Sequence, residues 1–168
     1  MHGRASQLTQ DLLQSEERFR HLAHHDPLTG LPNRVLLQDQ GARALARARR
    51  NKNHIGILFI DLDRFKTIND SLGHSVGDAL LREVADRIRL TVRDFDTVAR
   101  MGGDEFVIIL NDLSHREEPG IVAQKLLDTF STPFKVGGTS CDIGLSIGIS
   151  IYPDDAVDAT RLIACADA

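Results

Sequence analysis

Two adjacent glycines, Gly102 and Gly103, stand between the short run Asp96-Thr97-Val98-Ala99-Arg100 and the apolar run Phe106-Val107-Ile108-Ile109-Leu110. Residues without a Cβ reach backbone conformations closed to the others and let a second backbone or a ligand come near. The pair therefore predicts a hairpin tip, with Asp104 and Glu105 held at its mouth. The run after it is β-branched and apolar without alternation, the pattern of a strand covered on both faces. A second such run, Ile55 to Ile60, ends in Asp61-Leu62-Asp63. Two doubly buried strands require helices on both sides of their sheet.

The helices are legible in order. Leu8, Leu12, Leu13, Phe19 and Leu22 stripe an amphipathic helix over Ser6 to His24, either a connector from an upstream module or an ordinary helix folded back on the domain. His24 to Asn33 holds two prolines and a glycine and reads as a structured loop, with Asn33 a cap for a helix over Arg34 to Arg50. The basic cluster Arg43, Arg47, Arg49, Arg50 and Lys52 on that helix reads as a solvated face rather than a ligand site. A short helix follows the first strand and stops at Gly73; a longer one runs from Ser75 to Val92. Glu117 to Ser131 is predicted helical with Ile121, Val122, Leu126, Leu127 and Phe130 inward. Phe134-Lys135-Val136 and Asp142 to Ile151 read as strands joined at Gly137-Gly138, and a last helix begins near Val157. In the second of those strands Ile alternates with Gly or Ser, and so bare a face signals close backbone packing.

The predicted fold is an α/β sandwich, helices over a mostly antiparallel sheet. With 168 residues the chain makes one domain with an N-terminal extension. Its net charge of -4 argues against broad nucleic-acid binding, so a phosphate-rich ligand needs a metal or local cations. Cys141 and Cys165 lack metal-ligand spacing and read as reduced core thiols of a cytoplasmic protein. No apolar stretch is long enough for a membrane span or a signal-peptide core.

Asp61 and Asp63, two apart, project from one face of a strand end, and with Asp104 they offer oxygen ligands for a hard divalent cation. Alternatively they are solvated strand-end caps. Lys66, one turn beyond Asp63, is placed to meet phosphate charge or is a plain surface lysine.

At the hairpin the sequence resembles the GGDEF family, the diguanylate cyclases, with the name-giving Gly102-Gly103-Asp104-Glu105-Phe106 intact. The resemblance runs from Asp26-Pro27-Leu28-Thr29-Gly30-Leu31-Pro32-Asn33-Arg34 through Asp61 to Lys66, Asn69-Asp70, Gly73-His74 and Gly77-Asp78 to Ala166-Asp167-Ala168. It implies a palm-like, nucleotidyl-cyclase-like fold over 25–168, a connector helix over 1–24, and Mg²⁺-dependent condensation of two GTP into cyclic di-GMP, with Mn²⁺ a substitute cation. By position, Asp61, the Leu62 carbonyl and Asp104 match the metal ligands, and Asp104, Glu105 and Lys66 the catalytic groups. Asn69 and Asp78 match the readers of guanine, with Phe65 and His74 beside them and Gly102 and Gly103 against the nucleotide.

Each 3′-hydroxyl must face the other GTP's α-phosphate, so the active species is expected to be a homodimer with opposed sites. Arg93 and Asp96, in register with the hairpin, match the family's inhibitory product site, where arginine grips guanine O6 and N7. An upstream sensor and a downstream phosphodiesterase domain are expected partners in a longer parent. The competing reading is a non-catalytic module that binds GTP or cyclic di-GMP and controls such a phosphodiesterase. Two departures stand out: Arg64 replaces an aromatic found in many relatives, and the chain ends at Ala168, before a Lys and an Arg that contact phosphates, so the domain is expected to be cut short there.

Overall fold

The computed structural model describes residues 2–168. Helix α1, His2–His24, leads through a loop to α2, Arg34–Asn51, and then to strand β1, His54–Asp63. Two helices follow, α3 over Phe65–Leu72 and α4 over His74–Thr91, before the hairpin of β2, Thr97–Gly102, and β3, Glu105–Leu113. Helix α5, Glu118–Thr129, precedes a small ribbon of β4, Phe134–Val136, and β5, Thr139–Cys141; β6, Gly144–Tyr152, and α6, Ala159–Asp167, complete the chain.

Strands β2-β3-β1-β6 form one sheet, and every pairing in it is antiparallel. The two central strands carry the continuous apolar runs because both of their faces are covered. Leu58, Ile60, Phe106, Ile108 and Leu110 point to one core with Leu80, Val84 and Ile88 of α4 and Leu126 of α5. Ile55, Ile57, Phe59, Val107 and Ile109 point to the other, with Leu37 and Leu45 of α2 and Leu162 of α6. Each such side chain removed from water contributes roughly 1.5–3 kcal/mol. This double cover makes the hairpin and the end of β1 a rigid platform.

Local signals set the element ends. Asn33 caps α2, its side chain accepting from the Leu36 amide at 3.1 Å, and Gly73, at φ 91°, ends α3 and opens α4. The bare face of β6 is where α6 lies: the Ser150 hydroxyl, wholly buried, donates to the Leu162 carbonyl at 2.6 Å. Helix α1 keeps its apolar stripe in solvent, Leu12 at 66% and Phe19 at 75% exposure, so it is not folded back on the domain.

Three expectations are corrected. Leu126 and Phe130 are buried as expected, but Ile121 and Leu127 face solvent, and Pro119 and Ala123 take their place on the buried side of α5. The periodicity admits either stripe, and the choice is made by where α4, β1 and β6 lie against α5. Gly137-Gly138 joins β4 to β5, a three-residue strand, and not to β6, whose bonds go to β1. Cys141 is buried as expected, but Cys165 lies on the exposed side of α6.

Candidate functional site

The hairpin turns over Gly103 and Asp104, with Gly102 paired to Glu105. Gly102 has φ 131° and Gly103 φ 52°, values that L side chains rarely adopt, and a Cβ on either would meet nothing within 4 Å. The glycines are thus required by the turn and leave the space around the tip open.

Arg100 braces that tip. Its guanidinium donates to the Gly103 carbonyl at 2.8 and 3.0 Å and to the Asp26 carboxylate at 2.9 Å. Its backbone amide donates to the Pro32 carbonyl at 3.0 Å. Burial works to raise the Asp26 pKa, but the Thr29 hydroxyl and amide and the Arg100 charge outweigh it and hold the carboxyl below its ordinary value. The proline-rich loop after α1 is therefore the support of the hairpin. Sequence reasoning passed over this pair, because nothing in the pattern marks two residues 74 apart as neighbours.

Asp61 stands directly across from Glu105 in the β1–β3 ladder, on the face that carries Phe59, and the Leu62 amide donates to the Asp104 carbonyl at 3.2 Å. Burial first, and then the neighbouring carboxylate of Asp104 and the charges of Asp63 and Asp167, push the Asp61 pKa up. Glu105 is pushed up by burial and by Asp167, Asp61 and Asp104, against a lowering by Arg34. Carboxylates so crowded favour a proton or a cation, and with water and phosphate oxygens they form the ligand set that Mg²⁺ prefers. Among the described residues no three such side chains stand grouped closely enough to cage a metal ion, so the fit is one of donor chemistry, oxygen ligands of the kind Mg²⁺ takes. Asp63, on the same side, instead accepts from the Ser146 hydroxyl at 2.8 Å, a bond to β6 that gives it structural work. Asp167, at the end of α6, joins the cluster without having been expected there.

Phe65, the first residue of α3, is buried in the core shared with α4, and Lys66 is exposed beside it. Asn69 donates from Nδ2 to His74 Nδ1 at 3.1 Å, while its buried Oδ1 has no partner among the described residues. That oxygen lies against Gly77, where any Cβ would collide with it. An orphaned buried acceptor is rare and costs about 1–3 kcal/mol unless something supplies a donor. Asp78 is exposed at the next position of α4.

Arg93 and Asp96 sit apart from these groups. Asp96, 3% exposed, accepts from the Arg93 amide, its guanidinium at 3.1 Å, and the Asn111 amide at 3.0 Å. The carboxylate faces inward and the guanidinium, stacked 4.4 Å from the Phe95 ring centre, is the member of the pair open to a ligand. Arg43 and Arg47 of the basic cluster line a cavity of about 570 Å³ with Arg89, Phe95, Asp96 and Gly30, while Arg49 bonds the Val157 carbonyl.

Residues 23–168 match the model of the family described as diguanylate cyclase, GGDEF domain. The chain belongs to the GGDEF family. It is 42% identical over 168 residues to the bifunctional diguanylate cyclase/cyclic di-GMP phosphodiesterase MucR of Pseudomonas aeruginosa, covering all of this chain and 24% of that one. The diguanylate cyclase TpbB of the same organism is 41% identical, with 88% of this chain and 34% of that one covered. The solved GGDEF domain of TpbB superposes with a TM-score of 0.83, over 86% of this chain and 84% of that one, at 41% identity. The GGDEF family fold is thus present over residues 23–168, as the sequence predicted, and this chain spans about a quarter to a third of the length of these two relatives. Among the described residues no helix is long and apolar enough to cross a membrane.

Proposed function

We propose that this GGDEF domain condenses two GTP into cyclic di-GMP and two pyrophosphates, with Mg²⁺ held by Asp61, Asp104 and the Leu62 carbonyl, and Glu105 beside them. The observation that carries the reading is that Asp61 faces Glu105 across the β1–β3 ladder, next to Asp104 at the turn and beneath an open glycine tip. Bound there, the cation supplies charge neutralisation for triphosphate and for the oxygens that gain charge during transfer. Asp104, at the turn itself, accepts the proton of the attacking 3′-hydroxyl. Lys66 donates to phosphate oxygens from the first turn of α3.

Asn69 and Asp78 read the base. A carboxylate accepts from guanine N1–H and the 2-amino group, and the amide side chain of Asn69 can both donate and accept beside it. Adenine has no such donor pair, and its failure leaves buried groups unpaired. One domain holds one nucleotide, so two domains face each other in the productive state.

Incubating the chain with GTP and Mg²⁺ and separating the products chromatographically tests the reading. Cyclic di-GMP is expected, with about 10³-fold less from Asp104→Ala. GTP binding without product would favour the regulatory module instead, a reading that the bifunctional name of MucR keeps in view.

Gly77→Ala drives a methyl into the Asn69 amide and is expected to weaken GTP binding about 10-fold. Asn69→Ala should do the same, and the double variant should be no worse than either. Additive losses in a binding titration would separate the two residues and defeat the argument.

Feedback by product is assigned to the Arg93 guanidinium, oriented by buried Asp96 beside the arginine-lined cavity. Arg93→Ala is expected to raise the cyclic di-GMP concentration for half-inhibition at least about 10-fold while initial turnover holds. Unchanged inhibition in that assay removes Arg93 from the role.

A further inference from the structure

Between α4 and β2 the turn from Arg93 to Asp96 presents three successive backbone carbonyls, and each is held by a side chain from a neighbouring element. Arg89, in the last turn of α4, donates to the Asp94 and Asp96 carbonyls, both at 2.7 Å. The Phe95 carbonyl between them accepts from Asn111 Nδ2 of β3 at 2.6 Å. Asn111 also holds the turn through its backbone, its amide donating to Asp96 Oδ1 at 3.0 Å and its carbonyl accepting from Arg93 Nη2 at 2.6 Å. The Asn111 side chain is buried, and its Oδ1 has no partner among the described residues. An orphaned acceptor works against folding, so an apolar side chain would suit stability better. What the amide does contribute is the donor that holds Phe95.

This clamp decides what Arg93 can offer. Of the five donors of a guanidinium, Nε–H and both protons of Nη2 are engaged by Asp96 and by the Asn111 carbonyl, and one face lies over the Phe95 ring. Nη1 and the opposite face stay free. We infer that Asn111 and Arg89 are positioning residues for inhibition by product: they fix the turn so that Arg93 Nη1 and its open face meet a guanine of cyclic di-GMP. The inference rests on the assignment of feedback to Arg93 and adds what makes that guanidinium a fixed donor. Arg89 borders the arginine-lined cavity, but both of its Nη groups are committed to the turn. A side chain ordered before binding has less freedom to lose when the ligand arrives, so loosening the turn weakens affinity without removing any contact.

Calorimetric titration of the chain with cyclic di-GMP, without GTP, tests this. Asn111→Leu keeps the buried volume and removes the donor; Arg89→Lys keeps the charge and holds one carbonyl at most. Each is expected to weaken cyclic di-GMP binding about 10-fold. The Arg93 Nε–H resonance, sharp in the parent chain because Asp96 holds that proton, should broaden in both variants. Arg89→Lys, half-exposed on α4, carries the test if the buried change disturbs β3. Arg93→Ala should bind more weakly still, and adding Arg89→Lys to it should bring no further loss. If Arg93→Ala binds as the parent does, the feedback assignment itself falls. If Arg93→Ala is impaired while Asn111→Leu and Arg89→Lys bind as the parent does with a sharp Nε–H resonance, Arg93 acts alone and the positioning role is overturned. A loss from Arg89→Lys that persists in the Arg93→Ala background overturns it equally, since the effect then does not pass through Arg93.

Discussion

Asp61→Asn is expected to cut cyclic di-GMP production about 10³-fold or more, while the metal-free variant melts no lower than the parent chain and somewhat higher at neutral pH. Loss of activity with gain of stability is the mark of a group placed against its own interest. Burial and three neighbouring carboxylates raise the Asp61 pKa above its ordinary value, so the folded chain binds that proton more tightly than the unfolded chain does. By linkage, stability then falls as pH rises from 3.8 through the raised folded value, and above that window the ionised side chain works against folding. Asparagine keeps the shape and removes the charge. Because the side chain is largely exposed, solvent screening keeps the gain small.

Mg²⁺ should reverse the order of melting. It is expected to raise the melting temperature of the parent and leave that of the variant nearly unmoved, since a ligand stabilises only the state that binds it. Thermal melts across pH, with EDTA and then with Mg²⁺, beside the turnover assay, check both halves. A variant that still gains stability from Mg²⁺ and still turns over would show that the cation is held elsewhere.

What the sequence disclosed and what it hid divide along one physical line. Features fixed by neighbours in the chain were legible: the apolar runs of β1 and β3, the Asn33 cap, the stop at Gly73, the glycine turn. So was the palm-like order of helices and strands, because doubly buried strands admit few arrangements. Features fixed by tertiary partners were not. The tip brace of Arg100 and Asp26, the bond from Ser146 that occupies Asp63, and the arrival of Asp167 beside Glu105 each join distant segments. The inward turn of Asp96 is of the same kind, since its exposure depends on the Asn111 amide of β3. The basic cluster on α2 was half legible. It faces solvent along most of its length, yet Arg43 and Arg47 also line the cavity beside Asp96.

Gly148→Ala is expected to be the most destabilising single methyl in the domain, about 3 kcal/mol or more. Gly148 lies opposite Phe59 in the β1–β6 ladder, and a Cβ there would fall on the backbone carbonyl of Ala166 in α6. A backbone carbonyl inside a helix has no rotamer to take, so either α6 moves or β6 does. Helix α6 is held by Ser150 on one side and buries Leu162, Ile163 and Ala166, so lifting it opens the core that it shares with α2. It also carries Asp167 away from Glu105, and the pKa of Glu105 should fall as that negative neighbour recedes. Gly144→Ala provides the contrast. There the new methyl meets only the Asp63 side chain, 3.1 Å from Oδ2, and a side chain can rotate aside. Calorimetric melting should therefore show a drop of roughly 10 °C for the first and a few degrees for the second. Equal and small losses would mean that α6 does not rest on the bare face of β6, and that the alternation of isoleucine with glycine and serine has some other cause.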